Sequence, residues 1–251
     1  MTSAGVSSDG VTGAAWLIRH LDDVPDDDSW LTAEERRVLT RFTVPKRRAD
    51  WRLGRWTAKT AVSRVLAVDP RRVAVVAAAD GAPEAMLDGA LLAMSLSISH
   101  RAGVGLAVVS DGSVVGGDLE LIEHRSNAFV REWFGPHEQA LVFAAKAEGR
   151  RDEVACLLWS VKEAAAKVLR GGLRLPFRNA SVTLESDLGN GELGRPGDGW
   201  HRSTVGWPSE GRAISGWWRI ADSFVHAIAG DPDCGVPTEL DCRQTDDKRA
   251  D

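Results

Sequence analysis

Asp118 and Glu120 stand two positions apart in an apolar run, Val114 to Ile122, with the composition of a buried strand. Side chains alternate along a strand, so both carboxylates leave the same face. About forty residues later, Trp159-Ser-Val-Lys162-Glu163-Ala-Ala-Ala-Lys167 lies in a long alanine-rich stretch with helical spacing. Glu163 and Lys167 are four apart and therefore stack on one face of that helix. Two strand carboxylates, a helix carboxylate and a lysine make a set of hard oxygen donors beside a cation. Mg²⁺ prefers such donors and usually shares its coordination with substrate phosphates, so the expected chemistry is on a diphosphate. Each segment alone has a plainer reading, as exposed strand carboxylates or as a surface ion pair of little energetic worth.

A third segment shifts that balance. Ser95-Leu-Ser97-Ile-Ser99-His100 alternates like a strand, ends in a histidine and runs into Arg101-Ala-Gly103. A lone histidine at a strand end is ordinarily structural. Its neighbours in sequence order, however, form a series: Arg47-Arg48 through Gly54-Arg55 in a helix, the turn Gly81-Ala82-Pro83, then Ser97-Ile98-Ser99-His100, Gly116-Gly117-Asp118-Leu119-Glu120 and Trp159 through Lys167. Together these resemble the 4′-phosphopantetheinyl transferases, in the longer form typified by the surfactin-synthetase-activating enzyme. The resemblance spans roughly Leu31 to Ile228.

It implies an α+β fold of two pseudo-symmetric subdomains in one chain, with the active site in the cleft between them. Residues 14–112 and 113–230 are the expected halves, with a seam near Ser110 to Ser113. The implied reaction moves the phosphopantetheine arm of coenzyme A onto a serine of an apo acyl or peptidyl carrier protein, releasing 3′,5′-ADP. On the same resemblance Asp118, Glu120 and Glu163 hold Mg²⁺, with Mn²⁺ as an alternative. Glu163 is also the candidate base, directly or through a water, and Lys167 contacts the reacting phosphate. Arg47, Arg55 and His100 are assigned to the nucleotide phosphates, and Ser99 with the Gly81 to Pro83 turn to the adenine. Arg47 and Arg55 are eight residues apart, about two helical turns, and are expected to share a face. Lys162 points away from Glu163 and is expected to be structural or peripheral; Glu138 is expected to be structural rather than a ligand.

Two departures stand out. Many relatives have Gly-Lys-Pro where this chain has Gly81-Ala82-Pro83, and the first helix carries Glu35 and Val38 where relatives have basic residues, with Arg36, Arg37 or Arg41 as possible replacements. Arg125, Phe129, Arg131 and the Leu173-Arg174-Leu175 segment are candidates for carrier docking. Long members of the family serve polyketide, nonribosomal-peptide and siderophore assembly. The competing readings are a coenzyme A or carrier-protein binding module without catalysis, and a metal-dependent diphosphate hydrolase.

Composition agrees with an ordinary globular protein: 251 residues, 43% hydrophobic and 27% charged. A net charge of −5 argues against general nucleic-acid binding, which needs basic surface. No apolar run has the length of a membrane span, and residues 1–13 lack a signal-peptide core. Three cysteines, Cys156, Cys234 and Cys242, have no paired metal-ligand spacing. A monomer in the cytoplasm is the expectation.

For the elements, Ala14 to Arg19 reads as a strand. Thr32 and Glu35 form a capping box for a first helix, and Pro45 opens a second helix running to about Leu66. Asp111-Gly112 reads as a hairpin turn between two strands. A long helix from Asp152 to about Leu169 ends at Gly171-Gly172. Residues 187–208 read as a long loop, residues 1–13 and 231–251 as disordered, and no strong internal repeat is visible.

Overall fold

The computed structural model describes residues 13–185, 199–230 and 234–240. The first half runs β1 (Ala15–His20), α1 (Ala33–Leu39), α2 (Pro45–Leu66), β2 (Val73–Ala77), β3 (Pro83–Leu87), β4 (Ala90–Leu91), β5 (Ser95–Arg101) and β6 (Val104–Ser110). The second runs β7 (Gly116–Leu121), α3 (Asn127–Trp133), α4 (Pro136–Ala144), α5 (Arg151–Val168), β8 (Ser181–Leu184), β9 (His201–Trp207), β10 (Arg212–Ala221) and β11 (Phe224–Gly230). A short β12 (Thr238–Glu239) follows. Among the described residues three sheets form, ordered β12-β1-β6-β5, β7-β11-β10-β9-β8 and β2-β3-β4. The expected α+β class holds.

Each long helix covers one sheet. Ala58, Ala61 and Val62 of α2 pack with Leu17, Ala107 and Val109 of the first sheet. Leu157, Val161 and Ala165 of α5 pack with Val225 and Ala227 of the second. The Thr32–Glu35 capping box forms as the sequence predicts, and Pro45 occupies the first turn of α2. A third cluster joins the halves: Trp16, Leu106 and Val108 from one side meet Leu119 and Ile228 from the other.

The seam is built unusually. Asp111-Gly112 does not close a hairpin, because β6 and β7 belong to different sheets. The chain instead crosses over and lays β7 beside β5. Backbone N–H groups of Val115, Gly117 and Leu119 donate to the hydroxyls of Ser95, Ser97 and Ser99 at 3.0, 2.9 and 3.2 Å. Alternate serines thus take the place of a ladder, which satisfies buried donors that would otherwise cost free energy. The Ser-x-Ser-x-Ser pattern is a stitch between halves.

The structure also exposes an internal repeat that inspection of the sequence misses. In the first half Lys59 Nζ donates to the Trp30 carbonyl at 2.7 Å and to Glu35 Oε2 at 2.9 Å, while the Val75 N–H donates to Glu35 Oε1 at 3.0 Å. In the second, Lys162 Nζ donates to the Trp133 carbonyl at 3.3 Å and to Glu138 Oε2 at 2.6 Å, and the Val182 N–H donates to Glu138 Oε1 at 3.1 Å. Trp30, Glu35, Trp56 and Lys59 recur 103 residues later as Trp133, Glu138, Trp159 and Lys162. Trp56-Thr-Ala-Lys59 and Trp159-Ser-Val-Lys162 are thus the same piece of helix used twice.

Two further expectations change. Residues 201–207, assigned to a long loop, form β9, whose burial alternates inward and outward between β8 and β10. Residues 187–198 lie outside the described residues, as do 1–12, 231–233 and 241–251. Within the supposedly disordered tail, Thr238 and Glu239 pair in parallel with Ala15 and Trp16. The edge of β1 attracts them because its backbone groups lack a partner on that side.

Candidate active site

Strand β7 sits between two close neighbours, and Gly116-Gly117 is the reason it fits. A Cβ on Gly116 would lie 2.0 Å from the Ala164 carbonyl of α5, and one on Gly117 would lie 2.4 Å from Val108 Cγ2 of β6. Only glycine allows contact on both faces. With α5 drawn so close, the face of β7 that carries Asp118 and Glu120 meets Trp159, Ser160, Glu163 and Lys167. The two pairs separated by forty residues are thereby brought together.

Asp118 is buried and fully engaged. Its Oδ1 accepts from Ser99 Oγ at 3.0 Å and Lys167 Nζ at 2.8 Å, and its Oδ2 accepts from Ser160 Oγ at 2.9 Å. Lys167 also donates to the Gly117 carbonyl at 2.7 Å. Glu120 accepts from Arg125 Nη2 at 2.7 Å and Trp159 Nε1 at 3.2 Å, with Arg101 Nε 3.8 Å away. Burial raises the Glu120 pKa, as does Asp118, while Arg125 and Arg101 oppose the shift.

Glu163 differs from both. It is half-buried and has no hydrogen bond or ion pair among the described residues. Burial, then the nearby Asp118 charge, pushes its pKa up to about 7, with Lys167 opposing and Glu120 adding to the rise. A half-buried carboxylate lacking a partner, beside two others, is electrostatically short of a cation. Oxygen donors of this kind fit a hard divalent ion. Among the described residues the side chains do not converge as a ready metal centre. Lys167 and Arg125 stand as counterions on the carboxylates.

Two cavities flank this cluster and meet at Gly81, Pro83 and Ile98. One, of about 370 Å³, opens between the halves and is lined by the Asp80 to Ala82 turn, the start of β3, β5, Val114, Lys167 and Arg170. The other, of about 380 Å³, is lined by Asp50, Trp51, Gly54, Arg55, Ser99 and His100 together with the Gly81 turn. Arg55 is half-buried; its guanidinium lies 5.0 Å from the Trp51 ring and its Nε is sealed from solvent without a hydrogen-bond partner. His100 is open to solvent on one side and packs on Gly54 on the other, where a Cβ added to that glycine would lie 3.6 Å from the imidazole. Burial on the packed side lowers its pKa, although Asp50 pulls the other way.

Asp118, Glu120, Glu163 and Lys167 are therefore assembled in one cluster, and Arg55, Gly81, Pro83, Ser99 and His100 around one cavity. Arg47 is not with them: it is exposed at the start of α2 and does not line that cavity. Eight residues at about 100° each overshoot two full turns by roughly 80°, so the expected shared face was too generous. Ser99 lines the cavity but also holds Asp118 and strand β7, a contact the adenine assignment did not foresee. Lys162 is fully buried rather than peripheral. Of the suggested carrier-docking residues, Arg125 is bound to Glu120, and Phe129 packs against Trp159 with ring centroids 5.2 Å apart.

Ser160, Arg125 and Trp159 hold the carboxylates and were not singled out for that task in sequence. Ser160 and Trp159 had a signal, since both recur as Thr57 and Trp56 in the first half. Arg125 had none, because its partnership depends on how the chain turns after β7. No curated protein matches the chain. A family model does: residues 114–215, which include the carboxylate strand, α5 and most of the second sheet, match the 4′-phosphopantetheinyl transferase superfamily.

Proposed function

We propose that the protein transfers the 4′-phosphopantetheine group of coenzyme A to a serine hydroxyl of an acyl or peptidyl carrier protein. The observation that carries this reading is the meeting of Asp118, Glu120, Glu163 and Lys167 beside two joined cavities, within the matched domain. In the transfer, the serine oxygen bonds to the phosphorus that bears the pantetheine arm. The bond from that phosphorus to the bridging oxygen breaks, and 3′,5′-ADP departs with the electron pair. The serine proton passes to Glu163, directly or through a water. A carboxyl group with a pKa of about 7 suits that task, because a base works best when its pKa lies near the working pH.

Lys167 is held by Asp118 and Gly117 at the edge of the inter-half cavity, where its ammonium stabilises charge on the diphosphate. Arg55 and His100 bind the nucleotide portion, Arg55 through a guanidinium whose buried Nε lacks a protein partner. Asp118, Glu120 and Glu163 would hold Mg²⁺, which acts as a Lewis acid and template for the phosphoryl group. Ser99 and Ser160 keep Asp118 in place, and Trp159 and Arg125 keep Glu120.

The decisive measurement is the intact mass of an apo carrier protein incubated with this protein, coenzyme A and Mg²⁺, with an EDTA control. A gain of about 340 Da, the transferred group of a metal-assisted phosphoryl transfer, that disappears with EDTA is the expected result. Free phosphopantetheine with no change in carrier mass would instead make the protein a diphosphate hydrolase.

A further inference from the structure

We propose that Asp50 is a specificity-determining residue that weakens the cavity's preference for a ribose 3′-phosphate over a free 3′-hydroxyl. The inference rests on the phosphopantetheinyl-transfer reading and refines which nucleotide arm that site accepts. A 3′-phosphate carries nearly two negative charges and calls for a surplus of cations around it. The cavity lined by Trp51, Arg55 and His100 does not supply one, because Asp50 lines the same space.

Each charge in that wall can be placed. Arg55 is the one half-buried cation, fixed against Trp51. Asp50 sits on α2 at the other end of the same helical stretch and forms an ion pair with Lys46 at 2.7 Å. The two partners differ in freedom: the Lys46 side chain is 80% exposed, and that of Asp50 only 22%. The carboxylate is therefore the sheltered, fixed member, while the lysine lies outside the cavity lining and, being largely solvated and screened, offsets its charge only in part. His100 contributes little positive charge at neutral pH, since burial against α2 disfavours its protonated form. At the turn facing these groups, Ala82 brings no cation either.

The wall is then close to neutral: one arginine set against one carboxylate, with a mostly neutral imidazole. That balance suits a ribose. A carboxylate accepts a hydrogen bond from a ribose hydroxyl, but it has nothing to donate to a phosphate and repels it. Coenzyme A and dephospho-coenzyme A would then compete on near-equal terms, yielding 3′,5′-ADP and 5′-AMP respectively on transfer.

The test measures binding of coenzyme A and dephospho-coenzyme A by calorimetry, for the full chain and for Asp50→Asn and Lys46→Ala. Transfer to an apo carrier is followed in parallel. The wild type is expected to favour coenzyme A by less than about tenfold, a modest ratio for a site with one compensated cation. Asp50→Asn, which keeps the shape and removes the charge, should raise that preference by about three- to tenfold, and Lys46→Ala should lower it. A ratio unchanged by Asp50→Asn overturns the proposal whether or not transfer occurs. A ratio that shifts as expected, with no mass gain on any carrier, keeps the Asp50 assignment and removes the transferase reading instead. Binding of neither nucleotide removes both.

Discussion

The two halves share a frame and differ in chemistry. In each, a fully buried lysine on the long helix holds a buried glutamate, and that glutamate caps a short helix and pins a strand. Burial drives the pKa of Lys59 and of Lys162 down, and the glutamate partner pulls each back. Around this frame the working positions diverge. Leu17, opposite Ala107 in its sheet, stands where Asp118 stands opposite Ala227. One residue beyond each buried lysine, Thr60 occupies the place of Glu163, and Arg64 that of Lys167. The Lys–Glu frame is common to both halves and belongs to the fold, whereas the carboxylate cluster is present in the second half alone and is the part the proposed reaction uses. The first half has only the frame, and at the candidate site it supplies the wall of the cavity lined by Asp50, Arg55 and His100.

The sharpest break in this comparison is chemical. Asp118→Asn should lower transfer to an apo carrier by about a thousandfold or more, since it removes one charge from the cluster that organises the phosphoryl group. The thermal midpoint should move little, because the amide still fills the same site. Full activity in Mg²⁺ would strip Asp118 of its role. The matching change in the silent half, Leu17→Met, should leave turnover alone.

The frame should fail symmetrically. Lys59→Met and Lys162→Met each strand a buried carboxylate, and each should cost about 3–5 kcal/mol in denaturant unfolding. Combining Lys162→Met with Glu138→Leu should restore most of that loss, since no unpaired charge remains. A small cost for Lys59→Met alongside a large one for Lys162→Met would show that the two frames are not equivalent.

A smaller effect probes the seam. His226 lies on β11 under Trp16, with ring centroids 6.2 Å apart, near Arg219, which stacks on both Trp16 and Trp200. Burial, followed by the Arg219 charge, lowers its pKa to about 3. The unfolded chain therefore binds a proton near the ordinary histidine value of about 6.5, which the folded chain refuses until far lower pH. This contribution to stability is complete above pH about 6.5 and is lost as pH falls toward 3. By pH 4.5 the loss should reach about 2–3 kcal/mol. His226→Gln should flatten the acid slope of an unfolding titration; an identical slope in the variant would place the acid sensitivity elsewhere.

Much of the site was legible because its signals are local. Asp118 and Glu120 share a face through the two-residue period of a strand, and Glu163 and Lys167 stack through the helical turn. The Thr32–Glu35 capping box and Pro45 likewise act within a few residues of themselves. Less legible was β9, whose alternation in Trp200 to Pro208 is diluted by glycine, proline and polar residues. The repeat escaped inspection because its shared positions are few and scattered, and only their common hydrogen bonds make them a set.

What the amino-acid sequence determined by itself is thus the order and type of the main elements and the faces on which the reactive side chains lie, since backbone geometry fixes both over short distances. The tertiary structure alone decided that β7 leaves its neighbour β6 for another sheet, that three serines stitch it to β5, and that Arg55 enters the cavity beside His100 while Arg47 stays outside. It also decided that Arg125 answers Glu120 and that Asp50 faces the same space as Arg55. These are contacts between elements whose meeting depends on how helices and sheets pack, and no local period encodes them.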